Sequence, residues 1–155
     1  MNIDLTGKSA LVTGSTRGIG RAIADALAGC GARVGVVGRD PARAHEAAAA
    51  ISPNARGFAC DVGDTASVAA LVAAAEEAFG GLDILVNNAG ITRDNVLFRL
   101  KDDDWDAVLD ANLRGAFASM RAAARGMMKR RWGRIINISS IVGLVGNKGQ
   151  ANYAA

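Results

Sequence analysis

The 155 residues carry a net charge of +3; half are apolar, 21% are charged and only two are proline. A chain of this length buries roughly 68–70% of the surface it exposes when unfolded, and this composition excludes intrinsic disorder, collagen-like repeats and low-complexity linkers. Two isolated cysteines, Cys30 and Cys60, exclude a disulfide framework and a metal site, and no apolar run approaches the roughly 18 residues of a membrane span. The start, Met1-Asn2-Ile3-Asp4, lacks the basic-then-apolar layout of a secretory leader, so the expected location is cytoplasmic.

In chain order, apolar runs at 9–13, 33–37, 55–60, 84–86 and 134–138 read as five short strands whose continuous hydrophobicity suits a parallel sheet buried on both faces. Between them, helical spacing of apolar residues predicts helices over 19–28, 41–51, 64–79 and, as one long element, 102–131. Asp40-Pro41, Asp64 and Asp102 read as helix starts, with Gly29, Gly80 and Gly133 near the stops. The 32 alanines and 19 glycines allow close helix-on-sheet packing. Right-handed crossovers turn this β-α alternation into one α/β domain over 1–155, a doubly wound, Rossmann-like parallel sheet of expected order 3-2-1-4-5.

The unusual residues fall at the carboxyl ends of these strands: Gly14-Ser15-Thr16-Arg17-Gly18 after the first, Gly38-Arg39 after the second and Asp61-Val62 after the third. Asn87-Asn88-Ala89-Gly90 follows the fourth and Ser139-Ser140 the fifth. Open α/β sheets bind ligands at that edge, so one crevice is expected there. The glycine turn Gly14-Ser15-Thr16-Arg17-Gly18-Ile19-Gly20 joins a strand to a helix and suits a dinucleotide phosphate held by unpaired N–H groups. Its spacing matches neither Gly-x-Gly-x-x-Gly nor a P-loop. Where an NAD site usually carries an acid for the ribose 2′-hydroxyl, Gly38-Arg39-Asp40 stands instead; Arg39 and Arg17 point to the 2′-phosphate of NADPH, with Asp40 either capping the next helix or touching ribose. Lys129-Arg130-Arg131 reads either as a solvated helix end or as a docking patch, and lacks the aromatic interleaving of a nucleic-acid site.

Taken together, Thr13-Gly14-x-x-x-Gly18-x-Gly20, Asp61-Val62, Asn87-Asn88-Ala89-Gly90, Asn112, Ser140 and Tyr153 resemble, in order and spacing, the short-chain dehydrogenases/reductases. Residues 90–95, 134–140 and 149–155 are similar to bacterial 3-oxoacyl-[acyl-carrier-protein] reductases, and acetoacetyl-CoA reductases share much of this wording. The resemblance implies Tyr153 as general acid, Ser140 as a hydrogen-bond donor to the same carbonyl oxygen and Asn112 as a water-binding residue of a proton relay. It also gives cofactor contacts to Asp61, Val62, Asn88, Ala89 and Gly90 besides the glycine turn. It further implies an acyl carrier protein or CoA thioester as partner, steered by Lys129 and Arg131, and a homotetramer paired through the 102–131 helix. The family's lysine four residues after the tyrosine and its C-terminal strands lie beyond Ala155. The expectation is therefore either a longer reductase or a binding and subunit-pairing module without turnover.

Overall fold

The computed structural model describes residues 3–155; Met1 and Asn2, which open the segment read for a leader, lie outside the described residues. Five parallel strands, β1 (Ser9–Val12), β2 (Arg33–Gly38), β3 (Arg56–Ala59), β4 (Ile84–Asn87) and β5 (Arg134–Asn137), form one sheet in the order β3-β2-β1-β4-β5. Register is set by pairs such as Val12 with Val36 and Val86, and Asn87 with Asn137. The period-2 alternation of a strand splits the apolar residues between two faces. Ala10, Val12, Val34, Val36, Ile84 and Val86 pack under α1 (Gly18–Gly29) and α2 (Pro41–Ala49). Leu11, Val37 and Leu85 pack under α3 (Thr65–Phe79) and the long α5 (Gly115–Arg130) on the other side. Small residues permit the approach: a Cβ on Gly57 would stand 2.5 Å from the Ala44 backbone of α2.

Helix boundaries follow local chemistry, with one correction to the expected caps. Asp40 caps α2, its Oδ1 accepting from Ala42 and Arg43 N–H, and Asp64 caps α3 by accepting from Ala66 N–H. Asp102 is not a cap. Lys101 occupies the N-cap of α4 (Asp102–Leu109) without a side-chain bond, and Asp102, Asp103 and Asp104 sit in the first turn, where carboxylates oppose the positive end of the helix dipole. The stop of α5 is Arg131, left-handed at φ +54°, with Gly133 two residues on, as expected near the stop, and its hydrogen facing the Met127 side chain 2.5 Å from where a Cβ would stand. The expected long helix over 102–131 is one unbroken helical run to Arg130 that contains a π turn at Asp110–Arg114, which divides it into α4 and α5. Two short helices, α6 (Val142–Val145) and α7 (Ala151–Ala154), were not foreseen.

The β5 end of the sheet is open. All four β5 residues are exposed, and Ile135, Ile136, Ile138, Leu144 and Val145 leave apolar surface uncovered in these 155 residues. Cys30 and Cys60 are free; burial pushes the Cys60 thiol above its ordinary pKa, the Ser67 hydroxyl opposing only part of that rise. Among the described residues no helix is long and apolar enough to cross a membrane.

Candidate active site

The carboxyl edge of the sheet opens into a crevice of about 710 Å³. Thr13 at the end of β1 ties its two walls together. Its Oγ1 accepts from both Asn88 N–H and Ala89 N–H at 3.0 Å, while the Asn88 amide donates to Thr13 O at 3.0 Å and Gly14 O at 3.1 Å. Asn88 thus braces the glycine turn with the side chain expected to contact the cofactor. Gly14, at φ +62°, passes so close to the next loop that a Cβ would lie 2.8 Å from Ala89 Cα. Ser15, expected to contact the cofactor, is fully buried: its N–H donates to Val37 O, and its hydroxyl donates to Val12 O and accepts from Val37 N–H. Its N–H and its hydroxyl proton are thereby committed to locking the turn to β1 and β2.

Gly18, at φ +61°, has open space where a side chain would stand, so the turn forms a bare floor at the start of α1. Arg17 is the N-cap of α1 and makes no side-chain cap bond, which leaves first-turn N–H groups facing that floor. A phosphate anion suits such a cradle through both hydrogen bonds and the helix dipole. Gly20 is needed for contact: a Cβ there would lie 2.4 Å from the Gly14 carbonyl oxygen. Gly20→Ala is therefore expected to displace the turn, lowering stability by about 1–3 kcal/mol and weakening dinucleotide binding at least tenfold. Thermal melting and ligand titration check this; two unchanged values contradict it.

Beside the turn lies a second cavity, lined by Thr16, Arg17, Arg21, Gly38, Arg39, Asp40 and Arg43 among others. Gly38 lets β2 end against Thr16, 2.6 Å from where its Cβ would be. Arg21 is held by Asp25 at 3.0 Å and Arg43 lies 3.6 Å from Asp40, whose other oxygen caps α2. Arg17 and Arg39 also line this cavity and no ion pair among the described residues engages either, while Asp40 and Glu46 are the acidic residues of its lining. Arg21 and Arg43 were missed by the sequence reading because helix periodicity does not reveal which face meets a strand end.

The crevice also gathers Ile19, Val62, Ala89, Gly90, Asn112, Ser140 and Tyr153. Asp61 is exposed, its Oδ1 accepting from Gly63 N–H at the turn into α3. Asn112 sits in the π turn, its Oδ1 accepting from Ile91 N–H at 2.8 Å and its Nδ2 donating to Ile91 O at 3.0 Å. Its amide therefore clamps the loop after β4; such widened turns recur at functional sites. Ser140 Oγ accepts from Val142 N–H, which leaves its own hydroxyl proton free to point into the crevice. Asn87 lines the floor with its Nδ2 donating to Asn137 Oδ1 at 2.8 Å, while its own Oδ1 is buried with no hydrogen-bond partner. Lys129 and Arg131 are not brought here. The crevice is lined by the first turns of α5, and these cations stand at its other end, about 20 Å along the helix axis. Arg130 between them turns inward to Leu82 O and to Glu76 at 3.6 Å.

A doubly wound parallel sheet with a glycine turn at the start of α1, and a tyrosine and a serine lining one crevice at its carboxyl edge, defines a Rossmann-like α/β fold. Residues 8–155 match the family described as short chain dehydrogenase, and the chain belongs to that family. It is 49% identical over 153 residues to the 3-oxoacyl-[acyl-carrier-protein] reductase FabG of Vibrio cholerae and 48% identical over 153 residues to that of Escherichia coli. Each alignment covers 99% of this chain and 63% of the relative. A solved structure described as a short-chain alcohol dehydrogenase from Sinorhizobium meliloti superposes with a TM-score of 0.95 at 41% identity, covering 100% of this chain and 63% of that one. The chain thus spans less than two thirds of the relatives it matches.

Proposed function

We propose that these residues form the cofactor half and the front of the catalytic half of an NADPH-dependent reductase acting on 3-oxoacyl thioesters carried by an acyl carrier protein, in fatty acid biosynthesis. The observation that carries the reading is the convergence of Tyr153, Ser140, Asn112 and, from the glycine turn, Ile19 on one crevice, with Thr16 and Arg17 of the same turn lining a second cavity together with Arg39. The similarity to reductases of that name supports the substrate class.

The dinucleotide fits the residues present: the bare floor at Gly18 and the first turn of α1 take the pyrophosphate, and Arg17 with Arg39 takes the 2′-phosphate. When bound, the nicotinamide supplies hydride to the carbonyl carbon. Negative charge then builds on the carbonyl oxygen, where the Ser140 hydroxyl donates a hydrogen bond and the Tyr153 phenol delivers a proton, giving the 3-hydroxyacyl thioester. Asn112 holds the Ile91 loop that walls the site. Asp40, engaged with the α2 backbone and Arg43, acts as a cap rather than a ribose ligand.

Titration of the protein with NADPH and with NADH tests the cofactor half directly. At least tenfold tighter NADPH binding is expected; equal affinities contradict it. The same reading makes the exposed Leu113, Phe117 and Met128 a subunit-pairing face. Phe117→Glu is expected to shift light scattering toward smaller species without lowering the melting temperature, since Phe117 is 52% exposed; an intact oligomer contradicts the assignment.

A further inference from the structure

We infer that Asn152 is a positioning residue that fixes where Tyr153 stands, an inference that rests on Tyr153 being the proton donor proposed above. Asn152 is 1% exposed, the only asparagine of the described residues so completely enclosed, and it lies in the wall directly beside the tyrosine. Its Nδ2 donates to Arg93 O at 2.9 Å and to Asp104 O at 3.3 Å, and its Oδ1 accepts from Tyr153 N–H at 2.9 Å. One amide therefore joins three pieces of chain: the loop after β4, the first turn of α4, and the one-turn helix α7 that carries Tyr153. A buried amide with its donors and acceptor satisfied has a single low-energy orientation, because rotating it leaves buried groups unpaired.

The loop it grips is itself fixed. Asn112 holds Ile91 through both backbone groups, Asn95 N–H donates to Gly149 O at 2.8 Å, and Gln150 Nε2 donates to Asp94 Oδ2 at 3.0 Å. The 91–95 loop is thereby referenced to the π turn on one side and to the tyrosine segment on the other, with Asn152 making the buried link. A helix of four residues, Ala151–Ala154, has too few internal hydrogen bonds to hold a side chain in place unaided. Proton transfer is sensitive to donor placement on the ångström scale, so loosening this link affects the chemical step before it affects cofactor binding, since none of the Asn152 bonds reaches the glycine turn.

The test uses the protein as its source cell makes it, with Asn152→Ala, Asn152→Ser, Tyr153→Phe and each Asn152 variant combined with Tyr153→Phe. Serine keeps a short acceptor for Tyr153 N–H but cannot reach Arg93 O, and it serves where the alanine variant fails to fold. At saturating NADPH and 3-oxoacyl thioester, the single Asn152 variants are expected to lower kcat at least tenfold, with KM and NADPH affinity changed less than threefold. In the Tyr153→Phe background they should lower the residual rate no further, because a residue acting through the phenol has nothing left to position. Native kcat in an Asn152 variant, with Tyr153→Phe inactive, overturns this inference alone. An equal loss in both backgrounds, or a loss shared by NADPH affinity, also overturns it and assigns Asn152 to general stability. Native turnover by Tyr153→Phe instead overturns the proton-donor reading beneath it.

Discussion

Replacing Tyr153 with phenylalanine is expected to lower the maximal rate of carbonyl reduction roughly a hundred- to ten-thousand-fold, the usual contribution of a positioned general acid. The ring still fills its place in the crevice wall, so the fold and the glycine turn stay intact and NADPH affinity should change less than threefold. What is removed is the proton that the carbonyl oxygen needs as hydride reaches the carbon, together with a hydrogen bond that strengthens as charge develops. Single-turnover measurement of nicotinamide absorbance separates the two effects. A rate within tenfold of the native protein shows that the proton comes from elsewhere.

The second large effect concerns cofactor choice. Arg39→Asp is expected to reverse the preference from NADPH to NADH, with a combined change exceeding roughly 2 kcal/mol, or about thirtyfold in the affinity ratio, because a charge-assisted contact is lost and a repulsive carboxylate gained. The position is exposed at the end of β2, beside Arg17 and next to the capping Asp40, so the substitution touches no core packing. Titration with both nucleotides checks it, and an unchanged ratio locates the 2′-phosphate elsewhere. Arg17 alone then becomes the candidate.

The sheet was legible in the sequence because its rules are local and topological. Continuous apolar runs marked parallel strands, and right-handed crossovers reduced the order to the one found, β3-β2-β1-β4-β5. The location of the crevice followed, since strand carboxyl ends are fixed once strand direction is known. What was not legible depends on how side-chain polar groups are paired in space. Ser15 looks like a phosphate ligand by its place in the glycine turn, yet β2 engages both its N–H and its hydroxyl, a contact across 22 residues that no motif encodes. Asn112 interrupts the apolar stripe of Trp105, Val108, Leu109, Leu113, Phe117 and Met120, but the i, i+4 step from Leu109 to Leu113 continues across it, so the π turn that accompanies its bonds to Ile91 leaves no separate mark in the spacing.

The basic cluster is a similar case. Lys129, Arg130 and Arg131 are adjacent in sequence, but Arg130 is turned inward against Glu76 and the other two stand at the far end of α5 from the crevice. Within this chain they cannot line the path of a substrate into its own site. Any steering of an acidic carrier by Lys129 and Arg131 acts through long-range attraction or on another copy, and it falls off beyond roughly 10 Å at ordinary ionic strength. Asn152 is the opposite case: it lies within the 149–155 stretch that carries the resemblance, yet the sequence gives it no role, and its burial and its bonds to Arg93 and Asp104 are what distinguish it.

The most direct test of the proposed activity is a balanced turnover measurement. The protein as its source cell makes it is incubated with NADPH and an acetoacetyl thioester, on acyl carrier protein in one series and on CoA in the other, while nicotinamide absorbance and 3-hydroxyacyl product are followed together. One NADPH oxidised for each 3-hydroxyacyl thioester formed, with the carrier-protein thioester reduced at the higher kcat/KM, is the expected result; NADPH bound tightly but left unoxidised with both thioesters contradicts the account.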